Sequence, residues 1–155
     1  MSEDDLLNSR FLEKSYQEAM ALTQTVASYL EADNDRISDF DLSVKSDVYY
    51  ASESMRVSTC LMQVMAWFLV QKGVASGEIT KEEAGSMKYR LGAGDICLAE
   101  VDTSQGSLPA EFVVLLEKAQ NIYRQVARMD KMVYGDRKIV NPVHQLFHRL
   151  NREDS

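Results

Sequence analysis

The stretch Met55–Val70, MRVSTCLMQVMAWFLV, decides the fold. It holds one charge, Arg56, and no Pro or Gly, so nothing in it breaks a helix. Its Met, Leu, Gln and Ala content favours helix over strand. The helical pattern extends back to about Ser46 and forward to Ser76, where Gly77 offers the left-handed residue that ends helices. At ~100° per residue the side chains fall into three strips. One apolar strip is Val48, Met55, Met62, Met65 and Leu69, and a second is Val57, Leu61, Val64 and Phe68. The third is narrow and mixed: Tyr49, Glu53, Arg56, Cys60, Gln63, Trp67 and Gln71. One neighbour does not bury so wide an apolar arc. The helix is expected at the centre of a bundle, packed on two sides, with its methionines in the core.

A membrane span is the competing reading. The uninterrupted apolar run is about ten residues even when Gln63 is allowed, and a span needs about twenty. The flanks are mixed in charge, with no cluster of cations on one side. No membrane insertion is expected.

Outward from this helix, the chain of 155 residues has room for one domain with its own core. Two Pro and seven Gly argue for long helices and few tight turns. The net charge of −7 is uneven: residues 1–50 carry eleven acids against four bases, and residues 136–155 three against four. An acidic body disfavours nucleic acid, whose affinity is built from Lys and Arg contacts to phosphate, and anionic lipid. Cys60 and Cys97 have no CxxC spacing and read as reduced thiols. The N-terminus, MSEDDLLNSR, lacks the apolar run of a signal peptide, so the cytoplasm is the expected location.

In chain order, Asn8 or Ser9 caps a helix to about Leu30, with Phe11, Ser15, Ala19, Leu22, Val26 and Tyr29 as its core face. Residues 31–45 form an Asp-rich connection, with Ser43 or Ser46 as N-cap of the central helix. Thr80 and Glu83 fit a capping box that opens a short helix over about 81–89. A long Gly-rich connection follows, and Pro109 falls in the first turn of a helix that runs to Tyr134 and stops at Gly135. Its core stripe is Phe112, Leu115, Leu116, Ala119, Ile122, Tyr123, Val126 and Val133. The fold class is therefore all-α: a three-helix bundle with a long central helix and a short extra helix (residues 1–135), then a flexible C-terminal tail (residues 136–155). Past Pro142 the tail holds a short amphipathic segment, with Val143, Leu146, Phe147 and Leu150 at i, i+3, i+4 and i+7, too short to be stable alone.

No catalytic constellation emerges. His144 and His148 share a helical face, but a zinc site needs three or four ligands. GAG at 92–94 lacks the elements of a phosphate loop, and no nucleophile–base pair is arguable. No metal or cofactor is expected. Trp67 has two readings: covered by the first or third long helix, or an exposed anchor for a partner or second subunit. The second makes Tyr49, Gln63, Trp67 and Gln71 partner-binding candidates. Val143, Leu146, Phe147 and Leu150 are the candidates in the tail, which either docks on its own bundle or folds into a partner's groove.

The stretch SESMRVSTCLMQVMAWFLVQKGVASGEIT resembles the core motif of the alphaproteobacterial regulator of CtrA degradation (RcdA) family. The matching signatures are Leu61-Met62-Gln63, Trp67-Phe68-Leu69, Gln71-Lys72 and Gly77-Glu78-Ile79-Thr80. Phe11, Ser15, Tyr16, Glu18-Ala19-Met20 and Tyr29-Leu30 resemble the family's first helix. The pattern has Arg where this chain has Cys60, and Ala where it has Gly73. The resemblance implies a helical bundle without enzymatic activity, an adaptor in regulated proteolysis. Such adaptors help deliver cell-cycle regulators such as CtrA to the ClpXP protease at a cell pole. Its implied partners are CpdR-like and PopA-like co-adaptors and substrate transcription regulators, and it implies a homodimer. The alternative is a small all-α enzyme, with residues 91–108 closing over a pocket of convergent ionisable groups.

Overall fold

The computed structural model describes residues 10–33, 45–102, 104, 106–136 and 142–153. The expected caps Asn8, Ser9 and Ser43 lie outside them. Among the described residues six helices follow in order: α1 (Arg10–Ala32), α2 (Lys45–Ala75), α3 (Lys81–Ala84), α4 (Gly94–Cys97), α5 (Ala110–Tyr134) and α6 (Pro142–Glu153). The three long helices fall within two residues of their expected bounds at each end. The fold is all-α, with α2 as the helix that packs on α1 and on α5.

The signals that end these helices act as the sequence implies. Gly77 sits at φ +81°, which L side chains rarely adopt, and its N–H and that of Glu78 return to the Val74 and Gly73 carbonyls. The Thr80 hydroxyl accepts from the Glu83 N–H at 3.1 Å, and the Glu83 carboxylate accepts from the Thr80 N–H at 3.4 Å. The short helix is one turn, Lys81–Ala84, rather than reaching residue 89. Pro109 is the N-cap of α5 rather than part of its first turn. Ser46 lies inside α2, not at its cap.

On α1 the buried face is Leu12, Ser15, Ala19, Leu22 and Val26. Leu12 takes the place expected for Phe11, which is exposed, because 12, 15, 19, 22 and 26 hold the strict alternation of three and four. On α5 the expected stripe is buried apart from Ile122, which is half-buried, and Gln120, Met129 and Asp130 join it.

Ring contacts fix the helix directions. Tyr16 of α1 meets Phe68 of α2, with ring centroids 6.0 Å apart, so α1 and α2 run antiparallel. Tyr50 of α2 meets Phe112 at the start of α5, while Tyr134 at the end of α5 meets Gln71 near the end of α2. α2 and α5 are therefore parallel, and the connection 76–109 must travel the length of the bundle to join them. It does so along α2: Ile79 lies on Gly73, Gly92 on Gln63, Ala99 on Arg56 and Gly106 on Ser46. A Cβ on Gly106 would meet the Ser46 side chain at 3.0 Å, and its φ of +149° suits glycine, so the crossover closes tightly on the start of α2.

This crossover inverts the expected cross-section of α2. The second strip, Val57, Leu61, Val64 and Phe68, is buried as apolar periodicity demands. The mixed strip is buried too, because the crossover and α5 cover it: Tyr49, Glu53, Arg56, Cys60, Trp67 and Gln71 are all inside. The first apolar strip faces outward, and the expectation that its methionines are core is corrected. Met55 is 72% and Met62 71% exposed, Val48 and Leu69 are exposed, and only Met65 is partly covered. The run Lys45–Ala75 is long and apolar enough to cross a membrane, as core helices of bundles also are. Here it packs between two neighbours.

Candidate protein-interaction surface

The buried polar strip is a set of anchors for the crossover backbone. Arg56 donates to the carbonyls of Ile96 (3.4 Å) and Ala99 (2.5 Å). Its charge is met by Glu53 one turn earlier, with Nη2 2.6 Å and Nε 2.8 Å from Oε2. Gln63 accepts from the Gly92 N–H at 3.1 Å. From the other side, α5 sends Gln120 to the Cys97 and Ala99 carbonyls and Tyr123 to the Gly92 carbonyl. The crossover has only short single turns, such as α3 and α4, as backbone structure of its own, so these carbonyls take side-chain donors instead.

A second polar cluster closes the other end. The Trp67 indole N–H donates to Asp130 Oδ1 at 2.9 Å. Arg90, from the crossover, holds both Asp130 oxygens through Nε at 3.0 and 2.9 Å and the Gly135 carbonyl through Nη2 at 2.7 Å. Tyr134 donates to Gln71 at 2.6 Å. Trp67 is 2% exposed and packs edge-on against Phe68, so the expectation of a partly exposed Trp67 is corrected. The Glu53 and Gln71 that seemed to mark a wet strip are themselves desolvated, because each has a partner inside.

Tyr49, Trp67 and Gln71 are thus brought together on one buried strip, with Gln63 half-buried beside them, and none of the first three reaches solvent. The tail candidates lie elsewhere, on α6. Leu146, Phe147 and Leu150 are exposed there, while the side chain of Val143, like those of His144 and His148, is outside the described set. α6 spans three turns and lacks the extensive packing that joins α1, α2 and α5.

Chemistry is scarce in this interior. Burial pushes the Cys60 and Cys97 thiols above their ordinary value, which keeps both protonated and poorly nucleophilic. Burial likewise raises the Tyr49, Tyr50 and Tyr134 phenols. A cavity of ≈ 220 Å³ beside the crossover is lined in part by Arg90, Asp130, Lys131 and Asp136. Its charges engage one another: Arg90 pairs with Asp130 in the interior, and Lys131 with Asp136 at 3.1 Å on the surface. Among the described residues no three of His, Cys, Asp and Glu come together as metal ligands.

What the structure presents to solvent is the outer face of α2. Val48, Met55, Met62 and Leu69 recur every seventh residue, with Ser52 and Ala66 exposed between them. No Asp, Glu, His, Lys or Arg lies between Val57 and Gln71. Beside this stripe, α1 and α2 leave an apolar groove of ≈ 230 Å³ lined by residues that include Val26, Leu30, Leu61, Met62 and Met65. Flexible, polarisable methionine suits a surface that adapts to another chain, and a contiguous apolar patch on a folded surface marks an interaction site.

The family described as protein of unknown function (DUF1465) matches residues 3–153. The crystal structure of RcdA from Caulobacter crescentus CB15 superposes with a TM-score of 0.66 at 31% identity, over 86% of this chain and 98% of that one. The chain belongs to the RcdA family. No curated protein matches it. Membership accounts for the family signatures quoted above: Leu61, Trp67, Phe68 and Gln71 are core residues here, while Met62 and Leu69 of the same signatures lie on the exposed stripe. Sequence periodicity missed Arg90, Gln120 and Asp130, which sit far from α2 in the chain. The Glu53–Arg56 pair, at i and i+3, was the one legible sign that this strip carries a partnered charge.

Proposed function

We propose that this protein is a non-enzymatic adaptor in regulated proteolysis, helping to deliver cell-cycle regulators such as CtrA to the ClpXP protease. In this reading it is a cytoplasmic homodimer recruited to a cell pole, working with CpdR-like and PopA-like co-adaptors. RcdA family membership supports the process. The observation that carries the mode of action is the uncharged stripe of Met55, Met62 and Leu69 on a helix whose opposite side is fully committed to the core. A fold that leaves a row of apolar side chains exposed along one face of its central helix, and pairs its buried ions with each other, is built to hold another protein rather than to turn over a substrate.

The partner-binding role moves accordingly. Trp67 and Gln71 act from inside, by holding α5 in place, and Tyr49 is buried on the same strip. Direct contact falls to the stripe and to Leu146, Phe147 and Leu150 of the tail. The domain division proposed is a bundle over residues 1–135 and a tail over 136–155.

The test is reconstituted degradation of a CtrA-type substrate by ClpXP with co-adaptors, comparing the intact protein with Met55→Asp, Met62→Asp and the double variant. Loss of stimulated turnover, with melting temperatures unchanged, supports the reading. Full stimulation by the double variant overturns the stripe as docking face. No stimulation by the intact protein overturns the adaptor itself.

A further inference from the structure

We propose that Cys60 and Cys97 form a modification site: a buried dithiol that a peroxide oxidises reversibly to a disulfide tying the crossover to α2. They are the chain's two cysteines, both free and both at most 1% exposed. The path of the crossover sets them face to face. Gly92 lies on Gln63, and the Ile96 and Ala99 carbonyls lie on Arg56. Cys60 falls between Gln63 and Arg56 on the same strip, and so opposite Cys97. The two share one core cluster, and their side chains interact directly.

The elements that carry them differ in rigidity. Cys60 sits midway along the 31 residues of α2. Cys97 ends α4, a single turn with no side-chain cap. Ala93, just before that turn, is held at φ +60°, a left-handed conformation that disfavours a residue with a Cβ. Ile96 and Leu98, on either side of Cys97, are exposed. Of the two elements α4 opens first, and its opening brings Cys97 to solvent while Cys60 stays in its helix.

The chemistry balances with hydrogen peroxide as oxidant. The Cys97 sulfur attacks one peroxide oxygen and the O–O bond breaks. The thiol proton leaves with the departing oxygen as water, and Cys97 becomes a sulfenic acid. When the turn recloses, the Cys60 sulfur attacks the Cys97 sulfur. The S–S bond forms, the S–O bond breaks, and the Cys60 proton leaves with the hydroxide as a second water. The two thiols give up two electrons and the peroxide takes them. A small dithiol restores both thiols by exchange and leaves as its own disulfide. The bond closes the loop 61–96, and a cross-link over such a loop stabilises the fold by restricting the unfolded chain.

The test uses the full chain, dilute, exposed to hydrogen peroxide, quenched, and alkylated in denaturant. The expected product is a chain lighter by two hydrogens, with no alkylatable thiol and a Cys60–Cys97 cross-linked peptide in its digest. Its helical circular dichroism should be unchanged and its melting temperature raised, and dithiothreitol should reverse both the mass and the melting shift. In Cys60→Ala, dimedone should trap Cys97 as the sulfenic acid; in Cys97→Ala, Cys60 should stay a thiol over the same exposure. The first measurement needs no variant and decides the matter even where a variant fails to fold. Two alkylatable thiols after exposure, a disulfide between chains, or oxidation to sulfinic acid would overturn the proposal. So would a disulfide that forms only with loss of helical signal or with a lowered melting temperature, since the pair would then meet only outside the native fold.

Discussion

Two faces of one helix carry opposite messages. The inner strip of α2, from Tyr49 to Gln71, contains a Glu, an Arg and two Gln, yet all but Gln63 are buried. The outer strip, from Val48 to Leu69, is entirely apolar and mostly exposed. Hydropathy alone places them the other way round. The difference teaches that polarity marks a buried surface when the neighbour is irregular backbone. The crossover 76–109 brings carbonyls at Ile96, Ala99 and Gly92 and an N–H at Gly92, and these must be met by side chains. Tyr123 and Gln120 of α5 meet the Gly92 and Ala99 carbonyls, but a wholly apolar α2 strip would leave the Ile96 carbonyl and the Gly92 N–H without their side-chain partners, at ~1–3 kcal/mol each.

The sharpest way to break this comparison is to put the same charge on adjacent residues. Leu61→Asp places an unpaired carboxylate at a site 2% exposed and should abolish cooperative folding. Met62→Asp, one residue on, should shift stability by no more than ~0.5 kcal/mol. Thermal melts by circular dichroism check both. Equal damage at the two sites would mean the outer face is core after all.

Next in size is the anchor of the crossover. Arg56→Ala removes the donor for two carbonyls and leaves Glu53 buried without its cation. Loss of one member of a buried pair costs ~3–5 kcal/mol. Urea titration should show a lower midpoint, and hydrogen exchange should accelerate first at Ile96–Ala99. An unchanged exchange pattern there would remove Arg56 from the role assigned to it.

Trp67→Phe isolates a single hydrogen bond of the inner strip. It keeps an aromatic ring against Phe68 but leaves Asp130 one donor short, with Arg90 still in place. The expected loss is ~1–3 kcal/mol, with self-association measured by sedimentation unchanged. A variant that melts normally but dissociates would return Trp67 to a surface role.

The smallest effect is pH dependence. Cys60, Cys97, Tyr49, Tyr50 and Tyr134 all have folded-state values raised by burial, so the folded protein binds protons more tightly than the unfolded chain. Their stabilising contribution is complete below the ordinary values of 9.0 for Cys and 10.0 for Tyr and declines as pH rises through them. Melting temperature should therefore fall above pH 9 to 10. Met55→Ala and Met62→Ala, on the outer face, should leave the alkaline slope unaltered. A flat profile to pH 11 would show that these groups are not desolvated.

The sequence by itself determined the three long helices, their ends at Gly77 and Gly135, the capping box at Thr80 and Glu83, and the place of α2 at the centre. These rest on local causes: propensity, a period of 3.6, and backbone angles that particular residues permit. The Val57–Leu61–Val64–Phe68 strip was legible for the same reason. Which of the other two strips went inside was decided only by tertiary structure. Periodicity sorts side chains into faces but does not name the neighbour of each face, and here that neighbour is a connection with no periodicity at all. Its parallel return along α2 follows from the pairing of Phe112 with Tyr50 and Tyr134 with Gln71, contacts more than sixty residues apart. Once that path was set, the polar residues of α2 were the ones able to satisfy it, and the methionines were left facing water.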